Sequence, residues 1–459
     1  MESELIPALA EFSAEIDLDR LPPRVVDRAK TCIIDAVACA FAGYQTGICQ
    51  MLQRALPLSE GGSQQATNWV EGTRAGYFFA AVYNCLLVHN MIHDDMNESC
   101  RGHIGNLVVP TTLAMSEVFG SSGKDVLAAI VAGYEVVGRI AAPAVAHSVE
   151  RGFRGTSTYG PFGVAAAAGR LLGFESEKLA HAISCAASFS SGLVEPFDRG
   201  SMEWRLQNGM ALMGGIVAAL TAGAGFKSST SVVTGDSGFL KAFCGSDAIG
   251  EIRQSWADSL KTLGEVYEVE KTYFKPFATC GYNQIACDVT LKLVERHGIT
   301  ADQVERIEVK VSPDNKSYPG VAHGGPFAST DEALLSKPFT IAAAVVFGDL
   351  QVETYGQGLR NPDLLRIARS TSLEAVEGYS ALQTEIRIVT RDGKTHTGDA
   401  SMADLGRFLP NHESMKAKLE MMAGALISRS RQDRILEEIS SLEKRKDASA
   451  LVGLLRRDK

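Results

Sequence analysis

Residues 24–42, RVVDRAKTCIIDAVACAFA, place apolar side chains three and four positions apart and then reach Gly43. That spacing predicts a helix with one buried stripe and a glycine stop. Residues 76–92 are almost wholly apolar and predict a second helix. Residues 108–119 and 123–140 predict two more, separated by Gly-Ser-Ser-Gly at 120–123, which reads as a helix stop and start. Residues 159–172, 176–189 and 206–224 continue the series. Several of these segments are apolar all round and rich in Ala and Gly. Helices of that kind pack closely at the centre of a large helical domain.

The period changes near residue 268. Residues 304–311 (VERIEVKV) and 383–390 (QTEIRIVT) alternate apolar and polar positions, as half-buried strands do. Asp392-Gly393 predicts a hairpin turn after the second strand. Residues 282–296 and 338–347 predict helices within the same region, and from Ser414 onward the chain is again helical and strongly charged. The expected fold is therefore mainly α. A large all-helical domain draws on residues 1–267 and 401–459, and a smaller α/β lid domain on residues 268–400.

Charge and cysteine content narrow the function. Lys and Arg total 45 against 54 Asp and Glu, a net charge of −9. No basic surplus marks a nucleic-acid partner. The nine cysteines include no CxxC pair and sit mostly in apolar runs. They read as buried free thiols of a reducing, cytoplasmic setting, not as a disulfide framework, zinc site or cluster. The start, MESELIPALAEF, lacks a basic n-region and a long apolar run, so neither a signal peptide nor a membrane span is expected. No metal and no cofactor are expected.

The densest polar cluster is HNMIHDDMNESCRGH, residues 89–103. His89 and His93 stand four apart and are expected to share a helix face. Asp94, Asp95, Asn97, Glu98, Arg101 and His103 follow. A loop between two buried helices holds these groups where burial shifts their pKa values toward neutrality, which suits general acid–base work. Three other readings stand beside that one: a solvated loop capped by Asp94 or Asn97, a metal site of His89, His93 and Asp94, and a hydrogen-bonded core role for His89. A second cluster, RGFRGTSTYG at 151–160, sets Arg154 before a small-residue helix and suits a carboxylate; a plain helix cap is its alternative. In a third, GSMEWRLQNG at 200–209, Trp204 and Arg205 line a pocket or Trp204 anchors the core. In a fourth, YFKPFATCGYNQ at 273–284, Lys275 is a base or carboxylate holder at the domain border, or else a surface lysine with a buried stem.

Taken in order, VVDRAKTCIIDAVACAFAG, DDMNESCRGHIGNLVVPTTLAMSEVFGSSGKDVLAAIVAGYEVVGRI, GSMEWRLQNGMALMGGIVAALTAGAGF, YFKPFATCGYNQ and SKPFTIAAAVVFGDL resemble the MmgE/PrpD family over residues 5–410. The resemblance implies a helical domain built from both chain ends, an α/β lid, a pocket between them, a homodimer and no metal. It also implies dehydration, decarboxylation or epimerisation of small di- and tricarboxylates through proton abstraction beside a carboxylate. The family's histidine after the acidic loop corresponds to His103, and its lysine near the lid to Lys275. Other positions depart. The family's DFDD reads IHDD here, so Ile92 replaces an acid and His93 an aromatic. Arg154 replaces a histidine, Trp204 a lysine, and Cys280 an imidazole. These changes point to a substrate bulkier or less charged than cis-aconitate or 2-methylcitrate, with Trp204 as a stacking wall.

The expected protein is a cofactor-independent lyase of dehydratase or decarboxylase type acting on a small carboxylate through an enolate-like intermediate. His103 exchanges protons together with His93 or Asp94. Lys275, Arg154 and Arg205 hold oxygens of the substrate, and Asn97, Trp204 and Cys280 complete its binding site. An isomerase using the same proton transfer, and a non-catalytic scaffold, are the alternatives.

Overall fold

The apolar spacing becomes helix in the computed structural model, which describes residues 5–55, 64–401 and 410–458. The first four residues of the acidic start and the 402–409 junction of the two expected domains lie outside the described residues. Helices α1 (Pro23–Tyr44), α2 (Tyr77–His89), α3 (Gly105–Phe119), α4 (Gly123–Ala141), α5 (Gly155–Leu171), α6 (Ser176–Ala186) and α7 (Trp204–Gly223) make the helical part with helices nearer both ends of the chain. The Gly-Ser-Ser-Gly signal works as read. Gly120 closes α3 in the left-handed conformation, and Ser122 and Asp125 cap α4 reciprocally.

Small residues set the spacing of the central helices. α5 lies against α4, α6 and α7. A Cβ on Gly163 of α5 would meet the Gly133 carbonyl of α4 at 2.5 Å, and one on Gly215 of α7 would meet the Pro161 carbonyl of α5 at 2.8 Å. Backbones this close need glycine at the crossing. α7 has the length and apolarity to cross a membrane, but 56% of its apolar window is buried among these helices, as in a core helix.

One helix ends earlier than its sequence predicts. Residues 76–92 read as continuous helix, yet α2 stops at His89. Asn90 turns its amide to the Gly43 carbonyl at 2.8 Å and the Thr46 hydroxyl at 2.6 Å. Ile92 then takes a positive φ of 51°. His93 therefore lies beyond the helix and shares no helix face with His89.

The smaller sheet has strands β3 (Val304–Val311), β4 (Thr371–Ala375), β5 (Thr384–Thr390) and β6 (Thr395–Ala400), after two short strands, β1 (Met96–Asn97) and β2 (Thr272–Tyr273), which pair with each other. Sheet order is β4-β3-β5-β6, with β3 and β4 parallel and the other pairs antiparallel. Gly393 makes the β5–β6 turn at φ 83°. Helices α8 (Gln284–His297) and α9 (Lys337–Phe347) pack together beside it. A further helix, α10 (His412–Ala423), returns to α1.

Two hydrophobic cores result. The larger runs through the helical part and takes in Met415–Leu455 near the chain end. The smaller gathers residues of the sheet region, together with Met91, Ile92, Val194, Phe197 and Trp204 from helical segments. The chain is thus mainly α with a smaller α/β part, and residues near Ile92 and Phe197 are where the two meet.

Candidate active site

The loop from Asn90 to Ile104 forms the floor of the junction. Its backbone is held in unusual shapes: Ile92 and Arg101 both have positive φ, which for a β-branched residue stores about 1–3 kcal/mol of strain. Cations satisfy the carbonyls that this path exposes. Lys275 Nζ donates to the Ile92 carbonyl. Lys418 Nζ, from α10, donates to Asp35 Oδ1 at 2.5 Å, to the His93 carbonyl at 2.9 Å and to the Lys275 carbonyl at 3.0 Å. Asp35, the lone acid in the apolar middle of α1, in turn accepts from the Asp95 amide at 2.8 Å.

On this floor stands a chain of polar groups. His103 Nδ1 lies 2.7 Å from the Asp95 carbonyl and 3.4 Å from Asp94 Oδ1. A carbonyl only accepts, so Nδ1 carries the proton and Nε2 keeps its lone pair. Asp94 also accepts from His89 Nδ1 at 2.9 Å and from the Asn106 amide at 2.6 Å. His89 Nε2 accepts from Arg154 Nη2 at 2.5 Å, and Arg154 Nη1 donates to the Trp204 carbonyl at 2.5 Å. All these groups are buried. His89, Asp94 and His103 offer ligand atoms within 4.8 Å of one another, the spacing a metal ion would use. Their donor set fits an ion poorly: His89 Nε2 already faces a guanidinium, and both Nδ1 atoms are spent on carboxylate and carbonyl.

A narrow cleft opens beside the chain, with a cavity volume of about 30 Å³. His103, Arg154, Thr156 and Phe197 line it from the helical part, and Cys280, Tyr282, Tyr318 and Leu335 from the sheet region. Thr156 Oγ1 accepts from the His103 amide at 3.0 Å, which fixes the backbone behind the ring.

The expected site residues divide by position. His103, Arg154 and Cys280 face the cleft. Asp94 stands one contact behind His103. Lys275 is fully buried behind Ile92 and bonds the Ile92 and Thr279 carbonyls. His93 is also buried in the floor, where Lys418 bonds its carbonyl and Lys275 that of Ile92. Trp204 stands behind Arg154, edge-on to His89, with its indole N–H on Asp331 Oδ1 at 3.2 Å. Arg205 stacks on Trp204 and pairs with the same Asp331 oxygen at 2.6 Å. Asn97 donates to the Glu268 carbonyl at 2.8 Å and accepts from the Cys100 amide at 3.2 Å, closing its own turn. Phe197 takes the aromatic place on the cleft wall, 5.0 Å from the Arg154 guanidinium carbon.

Sequence reasoning places none of Asp35, Asn106, Phe197, Tyr318 or Lys418 here. A signal existed for Asp35, a single carboxylate inside TCIIDAVACA. Lys418 sits in an ordinary charged helix and has none.

Burial and charge set the protonation states. Burial lowers His103 below the ordinary imidazole value, against the pull of Asp94, so the ring is neutral near pH 7. Burial disfavours the Asp94 carboxylate, but His103 and His89 outweigh it and hold Asp94 well below the carboxylate range. Burial raises Asp95 to about 8, helped by the negative charges of Asp35 and Asp94. Burial also lowers Lys275 to about 8 and Arg154 to about 10, with Asp94 opposing both. The Cys280 thiol is pushed up by burial and stays protonated.

Comparison with known proteins agrees with this architecture. Residues 7–251 match the MmgE/PrpD N-terminal domain and residues 277–444 the MmgE/PrpD C-terminal domain. Cis-aconitate decarboxylase of Aspergillus terreus is 24% identical over 478 residues, covering 99% of this chain and 96% of that protein. Cis-aconitate decarboxylase of Homo sapiens is 24% identical, covering 96% and 92%, and that of Mus musculus 26% identical, covering 96% and 91%. With both domains matched in order over most of its length, the chain belongs to the MmgE/PrpD family.

Proposed function

We propose that this chain is a lyase of dehydratase or decarboxylase type that moves a proton at a carbon beside a carboxylate, with His103 as the proton carrier and no cofactor. The observation that carries the reading is the tautomer of His103. Its proton is committed to the Asp95 carbonyl, its other nitrogen is free, and an ionised Asp94 stands ready to stabilise the imidazolium once a proton arrives. The names of the similar proteins, all cis-aconitate decarboxylases, support the lyase class.

In dehydration, His103 Nε2 takes the proton α to the carboxylate, the electron pair forms the double bond, and the β-hydroxyl leaves as water after receiving that proton from the imidazolium. In decarboxylation, His103 Nε2 first takes up a proton from solvent, the bond to the departing carboxylate breaks with its electron pair left on carbon, and the imidazolium delivers that proton there. Either path places negative charge on an enolate-like oxygen, which Arg154 meets with a guanidinium held by His89 and the Trp204 carbonyl. Lys275 acts at one remove by bonding the Ile92 carbonyl, which keeps the floor in its strained shape.

A second reading is epimerisation, in which the same carbanion is reprotonated from the opposite face. The lid side of the cleft offers protonated groups, Cys280, Tyr282 and Tyr318. Carbon NMR of reactions with β-hydroxy and unsaturated acids separates the outcomes. Bicarbonate or a new double bond supports the lyase reading; inversion without loss of any group supports the epimerase.

A further inference from the structure

The charges that face the cleft say which acids it takes. Among the described residues two cations, Arg101 and Arg154, line it, and those behind its wall are already paired or spent. Arg101 lies on the wall but pairs with Asp314 Oδ2 at 3.2 Å. Arg205 pairs with Asp331 behind Trp204. Lys275 bonds the Ile92 and Thr279 carbonyls from behind the floor. Among the described residues that line the cleft, Arg154 is left as the cation with no carboxylate partner, its charge offered beside His103.

The rest of the wall is neutral. Ile92, Met96, Val149, Phe197 and Leu335 form its apolar share. Tyr282, Tyr318 and Cys280 add polar groups that burial keeps protonated, able to bond an oxygen without neutralising it. Behind His103 the ionised Asp94 repels a second anion. A carboxylate placed against the apolar wall would be desolvated and unpaired, which is far costlier than burying an alkyl group there.

We infer that the substrate of this cleft carries one carboxylate, held by Arg154 beside the reacting carbon, and an apolar arm lying on Phe197, Met96, Val149 and Leu335; of the two lyase paths this selects dehydration, since loss of the one carboxylate would leave no oxygen to take the charge. A tricarboxylate such as cis-aconitate is disfavoured by charge. This rests on the proton-transfer reading above, and the test separates the two. Acids of one carbon skeleton with one, two or three carboxylates are compared for turnover and for shifts in melting temperature, using the wild-type protein and Val149→Lys. The single acid with an alkyl arm is expected to exceed the triacid in kcat/KM by about 100-fold or more. Val149→Lys, which adds a cation to the apolar wall, is expected to narrow that gap at least about tenfold. A triacid turned over as well as the single acid overturns the inference and leaves the proton-transfer reading standing. Melting shifts by the single acids alone, with no turnover of any acid, support the inference and remove the reaction. Turnover of the triacid alone likewise overturns only the inference, and no shift and no turnover with any acid overturn both.

Discussion

A peptide carbonyl can accept a hydrogen bond and never donate one, so the 2.7 Å contact from Asp95 to His103 decides which ring nitrogen is free. Everything assigned to His103 follows from that contact and from Asp94 beside it. Asp94→Asn keeps the size of the side chain and removes the charge that stabilises the imidazolium. It is expected to lower kcat by about 10²- to 10⁴-fold while leaving the far-ultraviolet dichroism unchanged. The pH profile follows from the direction of the His103 shift. Since burial lowers its folded pKa, the base stays free below the pH at which an exposed histidine would protonate, and the acid limb of kcat/KM falls below about pH 6.5. Stability carries the matching sign. The unfolded chain binds a proton near 6.5 that the folded ring refuses, as it does at His89 and His93, so stability falls as pH drops through 6.5 toward the folded values. Denaturant titrations at pH 7 and pH 5 measure that loss.

At the scale of elements, glycine is what allows the central helices to approach. Gly163 of α5 meets Gly133 of α4 with no room for a methyl group. Gly163→Ala is expected to cost about 1–3 kcal/mol by overpacking, read by chemical denaturation, although alanine is the better helix former. The early end of α2 is the other decisive element. Its composition favours helix through residue 92, and local sequence holds no stop signal. The stop comes from partners distant in the chain: Gly43 and Thr46 take the Asn90 amide, and Lys275 takes the Ile92 carbonyl. Most helices and the long strands were legible because their periods, 3.6 and 2, record which face is buried. The loop that carries the proposed site was legible as composition, since acids and imidazoles between apolar helices are conspicuous. Its path was not legible, because tertiary bonds set it.

Across the whole molecule, the cleft depends on three distant segments meeting. Asp35 lies in the first long helix, His93 in the loop and Lys275 at the entry to the sheet region, and Lys418 near the chain end joins all three. A pair separated by 383 positions leaves no local pattern to read. Lys418→Met strands a buried Asp35 and frees two carbonyls. It is expected to cost about 3–5 kcal/mol, with a further loss in kcat once the loop relaxes. Adding Asp35→Leu should restore much of the stability but not the activity, since the His93 and Lys275 carbonyls still lack their donor. Denaturation midpoints and kcat of the single and double variants separate these effects.

The central claim is that His103 carries a proton to and from a carbon beside a carboxylate. Its most direct test is deuterium incorporation at that carbon in heavy water, followed by NMR with the wild-type protein and with His103→Ala at equal folded concentration. The account predicts incorporation by the wild type and a fall of about 10²- to 10⁴-fold in its rate for His103→Ala, with the melting temperature little changed. Incorporation at the wild-type rate by a folded His103→Ala protein would contradict it.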